Sequence, residues 1–383
     1  MKKCVIIPDS FKGTMSSEEV CEIESRMLSG AFPGCRIISL PIADGGEGTV
    51  NCFLHSMDGE KITVKVKDAF GGELESFYGK FGDFAVIEMA AASGMVTNST
   101  RNPMAASTYG VGQLIDHAVS SGCRRILIGL GGSCTNDAGA GMAAALGTLF
   151  YNAYGEPFIP VGGNLNEIAE IDNSAMEQKL EGIRISCMCD IDNVLYGPEG
   201  AAYVFAPQKG ADDNQVKLLD NNLRCFAETV SKEMGIDVSE IRGGGAAGGM
   251  GAGASAFLGA ELRKGIDYIL DIIGFDSILE DCDLVITGEG RLDMQSLRGK
   301  VIHGVSGRSM RKAVPLIAVV GCISEEMKNG EGKKQLETLG IRKVYAASDG
   351  KSSLEAIRKS CRGELADTMN HVISDIKKYA ARG

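Results

Sequence analysis

Short apolar runs alternate along this chain with stretches of helical periodicity, and that alternation predicts a mainly parallel α/β architecture. An apolar run over residues 4–8 predicts a strand leading into the loop Asp9-Ser10-Phe11-Lys12-Gly13. A helix then starts at Ser16, which has capping-box spacing to Glu19. Val20, Ile23 and Met27 form its apolar stripe, and Gly30 is expected to close it. A second strand over 36–40 feeds the loop Ala43-Asp44-Gly45-Gly46-Glu47-Gly48-Thr49 and a short helix.

The pattern changes at Lys61. Apolar residues alternate there (Ile62, Val64, Val66), a Gly71-Gly72 turn follows, and Phe77, Phe81 and Val86 continue the series, which predicts an antiparallel meander. Further on, the sequence predicts strands over 125–130 and 183–188 and a helix of small residues over 139–147. The tract 243–249 is too rich in glycine for either regular element. Parallel-sheet patterning returns at 284–286, 316–320 and 344–346, and a final helix from about Ser353 carries an apolar stripe from Leu354 to Ile376. The simplest arrangement is two α/β domains: a doubly wound parallel sheet built from residues 1–60 and 281–383, and an inserted mixed-sheet domain over 61–280.

Composition narrows the partners. The 383 residues are 44% hydrophobic and carry 39 Lys+Arg against 50 Asp+Glu, a formal charge of −11 with no long basic block. The electrostatic footprint of a nucleic-acid binder is therefore missing. No apolar run is long enough to span a bilayer, and the apolar stretch at the start is too short for a signal peptide. The twelve cysteines are scattered without a CxxC pair, which reads as reduced thiols in a cytoplasmic protein with no membrane partner. The pattern leaves the oligomeric state open.

The candidate chemistry lies in loops that follow strands, where open α/β sheets bind ligands. After the strand 125–130 comes Gly131-Gly132-Ser133-Cys134-Thr135-Asn136-Asp137, whose successive N–H groups suit an anion nest, or simply a tight turn capped by Asp137. After 183–188 comes Asp190-Ile191-Asp192-Asn193. Alternate spacing on an extended chain puts both carboxylates on one side, suited to a hard cation or a base, unless the segment is a solvated turn. Lys209 sits alone between Pro207 and Gly210, and Thr287-Gly288-Glu289-Gly290-Arg291-Leu292-Asp293 follows the strand 284–286. Residues 243–248 fit GxGxxG formally, but no strand runs into them, so a hinge or close-packing role is preferred to dinucleotide binding. There is no GxxxxGK[ST], no His-Arg-Asp loop and no GxSxG, and the four histidines lack metal-ligand spacing.

Taken in order, these loops resemble the glycerate kinase family of the bacterial sugar-acid pathway type. The resemblance rests on Pro8-Asp9-Ser10-Phe11-Lys12-Gly13, Ala43–Thr49, Gly131-Gly132-Ser133 with Thr135-Asn136-Asp137, Cys189–Asn193, Phe205–Ala211, and Thr287–Arg291 with Asp293 and Gln295. It covers essentially the whole chain. Cys134 and Ala138 depart from it where smaller residues are expected, and Val194 where proline is; these concern packing and turn stiffness. The resemblance implies a flavodoxin-like domain formed from both chain ends, an inserted second domain and a cleft between them. It also implies ATP, Mg²⁺ and D-glycerate, phosphorylated at the 2-hydroxyl.

Individual roles follow from chemistry. Asp190 is the candidate base and Lys209 the candidate cation for the transferred phosphoryl group. Gly131, Gly132, Ser133 and Asn136 are candidates for the nucleotide phosphates, and Ser10, Lys12, Asp44 and Arg291 for glycerate. Asp192 is the first candidate for Mg²⁺, with Glu289 and Asp293 behind it. The alternatives are phosphorylation at the 3-hydroxyl, a nicotinamide-dependent oxidoreductase and a non-catalytic sugar-acid sensor.

Overall fold

In the computed structural model, which describes residues 1–43, 45–95, 101–294, 296–297 and 300–380, the chain divides into two compact units. One comprises Met1–Asp44 and Ile266–Gly383, and the other Gly45–Gly265.

The first unit is built on a five-stranded parallel sheet in the order Ile341–Ala346, Leu316–Val320, Leu284–Gly288, Lys3–Pro8, Arg36–Ser39. The inner strands are continuously apolar because helices cover both faces of such a sheet. Strand 3–8 lies beside 284–288 with Pro8 opposite Gly288, so the chain's two ends meet in the middle of one sheet. From Lys3–Pro8 the chain winds one way, and from Leu284–Gly288 the other. The switch in winding direction falls between these two strands.

Helix Ser17–Ala31 starts as its sequence predicts: the Glu19 amide donates to Ser16 Oγ at 3.2 Å and the Ser16 amide to Glu19 Oε2 at 3.0 Å. It runs past Gly30 and is capped by Phe32. Its apolar face packs with the long helix Leu354–Ala380, whose Cys361, Leu365, Met369 and Val372 share that core. Arg362 of the long helix pairs with Glu19 across the contact.

The second unit carries a six-stranded mixed sheet in the order Glu261–Arg263, Arg184–Met188, Arg125–Gly129, Phe84–Glu88, Glu73–Phe81, Glu60–Lys67. The first four are parallel and the last two complete the expected antiparallel meander. The unit begins before residue 60. Helix Thr49–Ser56 belongs to it because Phe53 packs against Phe81 and Phe84, with ring centroids 6.0 and 5.9 Å apart, and the Val50 amide donates to Glu88 at 2.7 Å. The glycine tract also differs from its reading. Ala246 opens the helical segment Ala246–Leu258, whose start is broken by left-handed backbone at Ala247, Gly248 and Gly249. The twelve cysteines are free thiols, and no helix among the described residues is long and apolar enough to cross a membrane.

Glu24, on helix Ser17–Ala31, is 1% exposed, and neither carboxyl oxygen has a hydrogen-bond partner among the described residues. Burial pushes its carboxyl from 4.5 up to about 8. Between those values the native state keeps a proton that the unfolded chain has released, so stability falls as pH rises across the window. Glu24→Gln removes that slope. Urea unfolding of wild type and variant is expected to coincide near pH 4.5 and to separate in the variant's favour towards about pH 8. Parallel curves would contradict it.

Candidate functional site

Each unit presents functional side chains at the carboxyl ends of its parallel strands. In the first unit these ends surround a cavity of ≈ 250 Å³ lined by Asp9, Ser10, Lys12, Glu289, Arg291, Asp293 and Lys300. It lies where the winding direction switches, because adjacent loops diverge there and leave a crevice. The Phe11 amide donates to Met15 O at 2.9 Å and the Met15 amide to Phe11 O at 3.1 Å, closing a tight loop. Phe11 and Met15 are buried, whereas Ser10, Lys12 and Thr14 keep solvent access. Asp9 is 4% exposed and accepts from the Ser10 amide at 2.6 Å.

Glu289 is the least satisfied group in this cavity. It is 5% exposed, and its Oε1 has no partner among the described residues. Burial raises its carboxyl to about 7; Ser296 and Lys300 oppose the shift, while Asp9 and Asp293 add to it. The following Gly290 permits this placement, since a Cβ there would lie 3.0 Å from Phe11 Cα. Asp293 accepts from Ser296 Oγ at 3.2 Å and the Ser296 amide at 3.1 Å, a local turn. Arg291 is exposed.

In the second unit, the loop after Arg125–Gly129 is folded around Lys209. This lysine is 2% exposed, and its Nζ donates to Ser133 Oγ at 3.0 Å and to Thr135 O at 2.7 Å. Burial lowers its ammonium to about 8, with Cys134 and Asp137 pulling the other way. Asn136 is 0% exposed, and neither Nδ2 nor Oδ1 has a partner among the described residues. Gly132 takes φ +76°, and the Gly131 amide donates to Gly45 O at 3.1 Å. Asp137 is a strut: it accepts from the Thr108 amide at 2.7 Å, Thr108 Oγ1 at 2.8 Å and the amides of Gly139 and Gly141 at 3.3 Å. Gly139 is the N-cap.

The carboxylate loop differs from its expected geometry. The strand ends at Met188, so Asp190 and Asp192 lie beyond it and strand alternation no longer orients them. Asp190 is half-buried and accepts from the Gly265 amide at 2.8 Å, whereas Asp192 is exposed. Asp192 belongs to the second unit, and Glu289 and Asp293 to the first. Among the described residues no three His, Cys, Asp or Glu side chains are grouped to hold a metal on their own. Asp44 lies outside the described residues. Asp9, which stood in a motif without a role of its own, and Lys300, which was not singled out, also line the first unit's cavity. Asp9 carried a signal, its place directly after a strand; Lys300 carried none. No strand leads into the GxGxxG match at 243–248.

A doubly wound sheet with acids and cations at its switch point, and a second sheet with a buried lysine under a glycine loop, are features of α/β enzymes that handle small anionic substrates. The chain belongs to the glycerate kinase family, whose pattern it matches over residues 4–377. It is 43% identical to glycerate kinase of Bacillus subtilis over 98% of both chains. It is 41% identical to glycerate 2-kinase of Escherichia coli over 85% of this chain and 86% of the relative. A crystal structure described as glycerate kinase 2 from Salmonella typhimurium LT2 superposes with a TM-score of 0.86 at 37% identity, covering 99% of each chain.

Holding Glu289 buried and partly uncompensated costs on the order of 3 kcal/mol once it ionises. Its native carboxyl titrates above its ordinary 4.5, so this stability is present at low pH and lost as pH rises to about 7. Glu289→Gln is therefore expected to melt higher than wild type above about pH 7 and equally near pH 4.5 by scanning calorimetry. A variant less stable at both ends would show that the carboxylate has a compensating partner.

Proposed function

We propose that this chain transfers the γ-phosphoryl group of ATP to the 2-hydroxyl of D-glycerate, giving ADP and 2-phosphoglycerate. The observation that carries this reading is the buried Lys209 ammonium, bonded to Ser133 and Thr135 beside an Asn136 carboxamide with unused hydrogen-bonding capacity. Only two of the three ammonium donors have acceptors in these bonds. A protein holds a charge in this way where an anion arrives to complete it. The relatives' names supply the reaction, and the Escherichia coli relative's name the 2-position.

In this reading, the Gly131 and Gly132 backbone, Ser133 and Asn136 receive the nucleotide phosphates. Lys209 balances the charge that spreads over the phosphoryl oxygens as the bond to ADP loosens. Ser10, Lys12, Asp44 and Arg291 take glycerate, with the two cations facing its carboxylate. Asp190 accepts the proton of the 2-hydroxyl while its bond to the Gly265 amide keeps the carboxylate in place.

The donors fit Mg²⁺ as the partner of ATP. They are carboxylate oxygens, and Glu289 has a buried one without a partner. An ion held by one or two carboxylates, water and phosphate oxygens needs no three-residue cluster, and none is present among the described residues. Glu289 and Asp293 of the first unit, or Asp192 of the second, would hold the ion, which would neutralise phosphate charge when bound. The free thiols support a reducing, cytoplasmic setting.

Two experiments test the reading. Product formed from ATP and D-glycerate is expected to yield phosphoenolpyruvate with enolase alone; a requirement for phosphoglycerate mutase would assign the 3-hydroxyl. Asp190→Asn keeps an oxygen for the Gly265 amide but cannot take a proton. Its kcat is expected to fall about 10²–10⁴-fold with glycerate KM little changed. Near-normal kcat would move the base elsewhere.

A further inference from the structure

The glycine tract 243–249 has no place in the roles above, yet its backbone touches both strand-end loops of the second unit. On one side the Gly245 amide donates to Asn193 O at 3.0 Å, and Cys189 Sγ approaches Gly243 O at 3.7 Å. A Cβ at Gly245 would meet Val194 O at 2.3 Å. On the other side the Ala138 amide donates to Gly248 O at 3.1 Å, and Thr135 Oγ1 to Ala247 O at 3.4 Å. A Cβ at Gly248 would lie 2.0 Å from Thr135 O and 2.6 Å from Asn136 Cα.

Thr135 O is the acceptor of the Lys209 ammonium. The tract therefore braces the carbonyl that holds the lysine at one end and the loop of Asp190 at the other. Strain marks the same contact. Ala138 and Ala247 take φ +51° and +55°, a conformation costly for a residue with a Cβ. Backbones this close leave no room for side chains to accommodate an error, so a change of one methyl group must move a loop.

We propose that the glycine tract is a spacer that sets the separation between the phosphate-receiving loop (Gly131–Asn136, with Lys209) and the carboxylate loop (Asp190–Asn193). The proposal rests on the phosphotransfer reading. Gly248 and Gly245 are positioning residues, each gauging one loop. Transfer between two bound groups depends on their separation to within a fraction of an ångström. A spacer made of backbone alone is the stiffest means of holding it.

The two ends are expected to separate in kinetics. Gly248→Ala displaces Thr135 O, and should raise KM for MgATP and Kd for MgADP about tenfold or more. Because the ammonium loses an acceptor, the alkaline rise of that KM should move to below about pH 8. Gly245→Ala has φ −74°, so only contact changes; it should lower kcat by a similar factor with MgADP affinity retained. Gly59→Ala is the control. Its Cβ would meet Lys80 O at 2.8 Å in the antiparallel meander, at the opposite end of the sheet from both loops, and it should lower melting temperature only. Should Gly248→Ala not fold, Thr135→Ala removes the tie to Ala247 O and should weaken MgADP binding severalfold, with Thr135→Ser restoring it.

Calorimetric loss of MgADP affinity confined to Gly248→Ala and Thr135→Ala supports the spacer even if glycerate proves not to be the acceptor. The proposal is overturned if Gly245→Ala and Gly248→Ala change the same parameter equally. It is also overturned if both behave like Gly59→Ala, or if Thr135→Ser fails to restore binding to a folded protein.

Discussion

A lysine ammonium removed from water must be held by oxygen atoms placed around it, and the architecture of the second unit's site follows from that requirement. Lys209 has two neutral acceptors, a hydroxyl and a backbone carbonyl, and its proton affinity is lowered because they replace water incompletely. The carbonyl can face the lysine only if the Thr135–Ala138 loop turns sharply. That turn brings a non-glycine residue to positive φ and calls for a partner backbone without side chains behind it. Asp137 completes the arrangement by gathering four donors from Thr108, Gly139 and Gly141, which ties the loop to the helix that follows.

The first unit holds a group of the opposite sign under similar conditions. Glu289 is buried at the end of a central strand and has an oxygen without a partner among the described residues, in a cavity it shares with three other carboxylates and three cations. Stability alone would favour glutamine there. Retaining a destabilised carboxylate in a cavity is the pattern expected where a ligand or ion supplies the missing interaction. Glu24 shows that burial by itself does not identify function: it is more deeply buried and neither of its oxygens has a partner among the described residues, but it lies in an apolar core.

Both sites depend on parallel strands. Such strands end together on one side of a sheet, so loops distant in sequence gather at that edge. The residues after Lys3–Pro8 and after Leu284–Gly288 share one cavity because those strands pair in register. The loops after Arg125–Gly129 and Arg184–Met188 adjoin the glycine tract because those strands are neighbours too.

The sequence by itself determined what local chemistry encodes. Continuous apolar runs specified the buried strands, since a strand covered on both faces has no polar side. Ser16 and Glu19 specified a helix start, since the capping bonds lie within one turn. The ordered strand-end loops specified the family. Only the tertiary structure decided which charges are buried and which partners they find. Lys209, a candidate cation between a proline and a glycine, carried no sign in the sequence of its burial against Ser133 and Thr135. Asp190 and Asp192 looked alike until the strand ended at Met188, leaving one bonded to Gly265 and the other in water. Helix Thr49–Ser56 joined the second unit through Phe53, whose ring partners lie on later strands. Burial and long-range hydrogen bonding depend on residues far apart in the chain, and no local pattern carries that information.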